Sequence, residues 1–167
     1  MRFWAYRRGA AVIGMSILYA PRHAGVMLLE YLAIPASAQG GGIGSALFAA
    51  SVEASRIDPG TLLLIEVDSD ATEADEAERI VRRKRKHFYR RLGCREAQGL
   101  DYILPLENYG PAPVMNLLVL GAGPDGVETA CLKRAVSNIY ENAYACAPDD
   151  PRIAAMYAGQ GEMLSST

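Results

Sequence analysis

The residues best suited to chemistry lie between Ala33 and Leu47, in the run A-I-P-A-S-A-Q-G-G-G-I-G-S-A-L. A β-rich run, Val26 to Ile34, precedes it. A helical pattern follows, with Ile43, Leu47, Ala50 and Ala54 spaced i, i+4, i+7, i+11. Gln39, Gly40, Gly41, Gly42 and Gly44 lie at the junction. Without a Cβ, glycines let backbone N–H groups crowd round an anion. The first turn of the helix adds unpaired donors and a partial positive charge. Strand, glycine loop and helix together predict a cradle for a phosphate or pyrophosphate. It is not a Walker loop, since no Gly-Lys-Ser/Thr follows.

The spacing Gln39-x-x-Gly42-x-Gly44 resembles the pyrophosphate loop of the GNAT acetyltransferases, whose pattern is Arg or Gln, two residues, Gly, one residue, Gly or Ala. Leu29-Glu30-Tyr31-Leu32-Ala33-Ile34-Pro35 resembles the strand that leads into that loop, including the proline that often ends it. A second match, His87-Phe88-Tyr89-Arg90-Arg91-Leu92-Gly93-Cys94, is similar to the family's Phe-Tyr-x-x-Leu-Gly-Phe segment, with Cys94 where an aromatic is common. The likeness spans roughly Phe3 to Leu120 and is specific at these two short motifs.

The resemblance implies a mixed α/β (α+β) fold. Its twisted sheet is mostly antiparallel, with a central parallel strand pair splayed around the cofactor and helices on both faces. It implies acetyl-coenzyme A as co-substrate, with no metal. The backbone of Gln39, Gly40, Gly41, Gly42, Ile43, Gly44 and Ser45 would grip the pyrophosphate. Main-chain groups of Leu32, Ala33 and Ile34 would pair with the pantetheine arm, and an N–H of that strand would polarise the thioester carbonyl. Tyr89 would protonate the departing sulfur, with a packed amphipathic tyrosine as the alternative reading. Glu30 shares parity with Leu32 and Ile34 and is the candidate base, acting through water. Glu66 is the second candidate, better read as a structural carboxylate. The acceptor would be an amine of a small molecule or a protein, attacking directly. The runner-up is a coenzyme A-binding module or sensor subunit without catalysis.

Length and composition set the bounds. At 167 residues the chain is expected to form one domain, 1–167, divided into an N-terminal hairpin (1–20), loop and helix (26–56), strand and helix with Tyr89 (62–95), and a C-terminal hairpin with helices (99–158). Half the residues are hydrophobic and the formal net charge is −2, so a globular, soluble, cytoplasmic protein is expected, without membrane association. Cys94, Cys131 and Cys146 are odd in number, far apart and without CxxC spacing, and only His23 and His87 could join them on a metal. They read as reduced thiols. Arg2, Arg7 and Arg8 ahead of the apolar Ala10 to Ala20 mimic a signal peptide. A hairpin is the preferred reading: Phe3 to Arg7, a turn at Gly9, then Ala11 to Tyr19. The family pattern places a strand and two helices before that hairpin. Either the chain starts late, or a partner subunit, as in a homodimer, or the C-terminal helices replace that wall.

Further elements follow in order. Gly40 to Arg56 is the helix after the loop, Asp58-Pro59-Gly60 a turn, and Leu62 to Val67 a strand covered on both faces. Glu66 to Glu78 is acidic without a base, whereas Arg79 to Arg95 carries nine Lys or Arg without an acid. Ala77, Ile80, Val81, Phe88 and Leu92 fit one face of a helix whose charges match its macrodipole. A solvated helix is therefore favoured over a nucleic-acid patch, and some of the bases would attract an anionic cofactor. Tyr102 to Leu106 and Val114 to Leu120 read as an antiparallel pair joined by 107–113. Gly121-Ala122-Gly123-Pro124-Asp125-Gly126 matches a dinucleotide fingerprint, but about 40 residues remain, too few for that domain, so it is read as a surface turn. Val127 to Ala145 is expected to be helical with Val127, Cys131, Ala135, Ile139 and Ala143 inward. Asp149-Asp150-Pro151 is expected to cap a helix from Arg152 to Ala158, and Gly159 to Thr167 to fray.

Overall fold

The computed structural model describes residues 1–21, 24–55, 60–70, 75–106 and 113–165. The expected ends at Arg56 and Asp58-Pro59, the connection 107–112, and His23 lie outside the described residues. The fold is mixed α/β, with a mostly antiparallel sheet, one parallel pair and four helices. The chain forms two compact units, Met1–Leu63 and Leu64–Thr167.

The first unit opens on the expected hairpin. β1 (Arg2–Arg8) and β2 (Ala11–Tyr19) pair antiparallel around Gly9, which takes φ 60°, a left-handed turn conformation open to glycine. β3 (Val26–Ala33) pairs antiparallel with β2. A 3-10 turn, Ala36–Ala38, leads into α1 (Ile43–Ser55). The helix begins three residues after the expected start at Gly40, because Gly40 and Gly42 adopt φ 85° and 76° and cannot continue a right-handed helix. Its buried face is the expected one only at Ile43 and Leu47. Ala50 and Ala54 are exposed, and Ile43, Leu47, Phe48, Ser51, Val52 and Ser55 are buried. Two serines lie inward because each hydroxyl finds a local acceptor. Ser51 donates to the Phe48 carbonyl at 3.0 Å and Ser55 to the Ser51 carbonyl at 2.6 Å, while Ser16 and Ser51 hydroxyls meet at 3.1 Å. Gly14 on β2 makes room for this packing. A Cβ there would stand 2.6 Å from Ile34 Cδ1 and 3.4 Å from a Leu47 methyl.

The second unit carries most of β4 (Leu62–Asp68), then α2 (Glu76–Arg91), β5 (Arg95–Glu96), β6 (Tyr102–Ile103) and β7 (Val114–Leu120). β7 pairs antiparallel with both β5 and β6. The rest is β8 (Val127–Glu128), α3 (Thr129–Asn142), α4 (Pro151–Tyr157) and β9 (Met163–Leu164). α2 seats itself differently from the expected face: Ala77, Ile80 and Val81 are exposed and only Tyr89 is buried. Long basic side chains do the docking, with their apolar stems against the protein and their charges on acceptors. Arg82 donates to the Ser69 carbonyl at 2.8 Å, Arg85 pairs with Asp68 at 2.6 Å, and Lys86 pairs with Asp70 and with Glu96 at 3.3 Å. Asp75 caps the helix by accepting the Glu78 N–H at 2.8 Å.

The inward set of α3 is Leu132, Ala135, Val136, Ile139 and Tyr140. Cys131 and Ala143 are only half-buried, and Val127 belongs to β8, because the chain is still extended through Glu128. Asp150 caps α4 as expected, accepting the Arg152 N–H at 3.0 Å with Pro151 in the first turn. The C-terminal segment, expected to fray, is instead tied down. β9 pairs with β8, Leu164 is buried, and Gln98 N–H donates to the Ser165 carbonyl at 3.0 Å. Gly126, the last glycine of the apparent dinucleotide motif, makes this clasp possible. Its φ is 122°, and a Cβ would lie 2.1 Å from the Leu164 carbonyl oxygen.

Two outcomes test this account. Gly126→Ala is expected to cost on the order of 3 kcal/mol in chemical denaturation and to strip hydrogen-exchange protection from Val127 and Leu164. The second outcome concerns alkali. Burial pushes the phenol of Tyr89 up to about 12 and those of Tyr102, Tyr140 and Tyr157 well above the usual tyrosine value. The unfolded chain then releases these protons first, so stability is full below about pH 10 and falls as pH rises through 10 to 12. Tyrosinate absorbance at these positions should appear together with loss of circular dichroism, not before it.

Candidate active site

The glycine loop is built within the first unit. Pro35 ends β3, and the 3-10 turn closes with Ala38 N–H on the Pro35 carbonyl at 2.8 Å. Gln39 turns its side chain back, donating Nε2–H to the Ile34 carbonyl at 3.0 Å, and its own N–H goes to Ala36 at 3.3 Å. Gln39 thus braces the loop through its amide side chain. That role was not part of the sequence expectation, although a long amide just before a glycine run is the signal for it.

The first bond of α1 runs from the Ala46 N–H to the Gly42 carbonyl at 3.0 Å. The N–H groups of Ile43, Gly44 and Ser45 therefore have no acceptor within the helix. A Cβ placed on Gly40, Gly41 or Gly42 would meet nothing within 4 Å, so the space over the loop is open. The first turn of α1 holds no acid. Bare amides, a positive helix end and no competing carboxylate are the conditions for holding a diphosphate. On these grounds the loop fits the pyrophosphate of coenzyme A.

Upstream of the loop, β3 contains a bulge. Ile17 faces Tyr31 and Leu18 faces Leu29, which leaves Glu30 without a partner on β2. Beyond it, Glu30 and Leu32 are half-buried while Tyr31 and Ala33 are exposed. Burial raises the Glu30 carboxyl above its usual value, with the chain's amino terminus pulling the other way. Glu30 is thus a half-buried carboxylate of raised proton affinity beside a bulge. The alternation of the sequence conceals this bulge, because a bulge is decided by pairing with β2.

Tyr89 belongs to the second unit, near the C-terminal end of α2. Its carbonyl accepts N–H bonds from Leu92 at 2.9 Å and Cys94 at 3.1 Å. Gly93, at φ 89°, lets the chain turn back at the expected helix cap. The ring packs edge-on to Phe88 with centroids 5.1 Å apart. Burial drives the phenol to about 12, opposed by the Arg85 guanidinium and reinforced by Cys94. At neutral pH Tyr89 is therefore a protonated donor. Burial likewise holds Cys94 up to about 12, as an inert thiol.

Glu66 on β4 accepts hydrogen bonds from the phenols of Tyr102 and Tyr144. Tyr102 lies edge-on to Tyr140, whose hydroxyl donates to the Ile103 carbonyl. This is the environment of the structural carboxylate preferred for Glu66. The basic run of α2 is also largely committed internally. Arg79 and Arg83 pair with Glu76, Arg82, Arg85 and Lys86 are placed as above, Arg90 pairs with Glu96 at 3.3 Å, and Arg95 donates to the Pro124 carbonyl at 3.0 Å. Among the described residues no three His, Cys, Asp or Glu side chains converge for a metal, and no helix is long and apolar enough to cross a membrane.

No protein-family model and no curated protein matches the sequence. Solved structures do. An acetyltransferase assigned to the GNAT family from Bacteroides thetaiotaomicron matches with a TM-score of 0.64 at 16% identity, over 87% of this chain and 73% of that one. An aminoglycoside 6'-N-acetyltransferase complexed with coenzyme A matches with a TM-score of 0.50 at 17% identity, over 68% of this chain and 69% of that one. The residues and loops described above are therefore carried on the fold of the GNAT-family acetyltransferases.

Proposed function

We propose that this chain is an acetyl-coenzyme A-dependent N-acetyltransferase acting on a primary amine. One observation carries the reading: a strand, a glycine loop with Gly40 and Gly42 in left-handed conformation, and a helix start whose Ile43, Gly44 and Ser45 amides have no acceptor within the helix. Those amides and the helix end hold the diphosphate of the co-substrate. Main-chain groups of Leu32, Ala33 and Ile34 pair with the pantetheine arm.

The amine attacks the thioester carbonyl directly. Its C–N bond forms as the C–S bond breaks, with Glu30 taking the surplus amine proton through water and Tyr89 giving its phenolic proton to the leaving sulfur. The protonation states support these roles. Tyr89 keeps its proton throughout the neutral range, and the raised Glu30 carboxyl has a proton affinity closer to working pH than a solvated glutamate's. The alternative, a coenzyme A-binding module without catalysis, is recognised by tight binding with no thioester consumption over a panel of small-molecule and peptide amines.

Two measurements test the proposal. Gly41 has an ordinary backbone and open space, so Gly41→Ala should bind coenzyme A within about twofold of wild type by calorimetry, whereas Gly41→Glu, which sets a carboxylate in the cradle, should weaken binding at least about tenfold. Equal affinity of the two variants rejects the loop as the diphosphate site. Tyr89→Phe should lower kcat about a hundredfold with KM for acetyl-coenzyme A little changed. Glu30→Gln should remove the acid limb of the rate profile, since the base works only when ionised and its activity falls as pH drops through its raised pKa. Unchanged turnover in Tyr89→Phe across the pH range rejects the acid assignment.

A further inference from the structure

β2 turns one face toward α1. Gly14, Ser16 and Leu18 lie on that face and are buried, whereas Met15 between them is exposed. Ser16 meets Ser51 of α1 through its hydroxyl, at 3.1 Å. Gly14 meets a different segment as well. A Cβ there would stand 2.6 Å from Ile34 Cδ1, 3.4 Å from a Leu47 methyl and 3.5 Å from Tyr6 Cβ. Gly14 does not take a positive φ, so what the glycine supplies is space and not a special backbone conformation. A glycine inside a strand weakens it and marks a close approach by another group. Here that group is the Ile34 side chain, seated in the notch where a side chain of β2 would be.

Ile34 has a second contact. Its carbonyl accepts the Gln39 Nε2–H at 3.0 Å, so one residue is joined to β2 by its side chain and to the loop by its main chain. Pro35, directly after it, limits Ile34 to extended conformations. Gly40, Gly41 and Gly42 have no packing of their own, since a Cβ on any of them would meet nothing within 4 Å. The loop is therefore held from its flanks, by α1 on one side and by Gln39 on the other.

We infer that Gly14 is a positioning residue for the glycine loop, acting through Ile34 and Gln39. The inference rests on the reading of that loop as the diphosphate site. Amides hold an anion tightly only when their spacing is fixed beforehand, because ordering a loop on binding subtracts from affinity. Glycine runs carry the largest such cost. The notch at Gly14 lowers it. It fixes the Ile34 side chain, and with it the carbonyl that receives Gln39 at the entry to the loop. Neither Gly14 nor the Ile34 side chain needs to touch the ligand for this.

Calorimetry with coenzyme A on the full chain tests the relay. Gly14→Ala drives the Ile34 methyl from the notch and should raise the dissociation constant about fivefold. Adding Ile34→Val deletes Cδ1, the carbon that the new Cβ meets, and should return the constant to within about twofold of wild type. Gln39→Leu alters an exposed side chain, so the melting temperature should hold while the constant rises about fivefold. Combined with Gly14→Ala it should weaken binding no more than about tenfold, short of the roughly twenty-five-fold expected of independent sites, because both break one relay. Met15→Val, on the opposite face of β2, is the control and should bind like wild type. A wild-type chain that does not bind coenzyme A, or Gly41→Glu binding as well as Gly41→Ala, rejects the diphosphate reading and this inference with it. With that reading intact, unchanged affinity in Gly14→Ala or Gln39→Leu, no recovery on adding Ile34→Val, or fully multiplicative losses would each overturn the inference alone.

Discussion

Everything in the first unit that bears on chemistry depends on a backbone constraint. The chain must leave an extended strand, turn, and enter a helix without covering the helix's first amides. Gly40 and Gly42 meet that requirement by occupying φ values that a side chain strongly disfavours, and Gly41 keeps the space between them open. Gln39 closes the turn onto Ile34, joining loop to strand. Any residue with a bulky Cβ at the left-handed positions would strain the turn and obstruct the donors together. The proposed function and the geometry make one demand here, because the amides that would hold the ligand are those without an acceptor inside the helix.

The second unit is organised around carboxylates held by neighbours. Glu66 sits between two phenols, and Glu96 gathers Lys86, Arg90 and an Asn116 amide at 2.8 Å. Acids withdrawn from water, as Glu96 is and Glu66 in part, are stable only when their lone pairs are filled. The arrangement explains why so basic a helix as α2 can lie against the protein: its cations face acceptors spaced along β4, β5 and the segment after β4. Tyr89 is set at the end of that helix by the same docking, with Gly93 turning the chain away immediately after it.

Motifs in which local sequence and local geometry coincide were legible. The hairpin around Gly9, the strand-to-helix glycine loop, the Asp150-Pro151 cap and the Gly93 turn all depend on the φ preferences or capping chemistry of a few adjacent residues. Helix faces were less legible. Ala50 and Ala54 fit an apolar stripe, yet Ser51 and Ser55 are the residues inside, because a helix carbonyl one turn back can satisfy a serine hydroxyl and remove the cost of its burial. In α2 the apolar residues Ile80 and Val81 are exposed while arginine and lysine stems are packed, an outcome that periodicity counts the wrong way.

The sequence by itself determined the loop, the order of the main elements and the position of Tyr89 at a helix end, since each follows from short-range conformational preferences. Only the tertiary structure decided the bulge at Glu30, the partners of Glu66, the internal commitment of the basic helix and the docking of the C-terminal segment on β8. Those depend on which strand or side chain arrives from far along the chain, and pairing between distant residues leaves no period in the sequence to read. Gly126 shows the division most clearly. As part of a glycine motif it suggested a ligand, whereas the carbonyl of Leu164 against its Cα gives it a purely structural reason to be glycine.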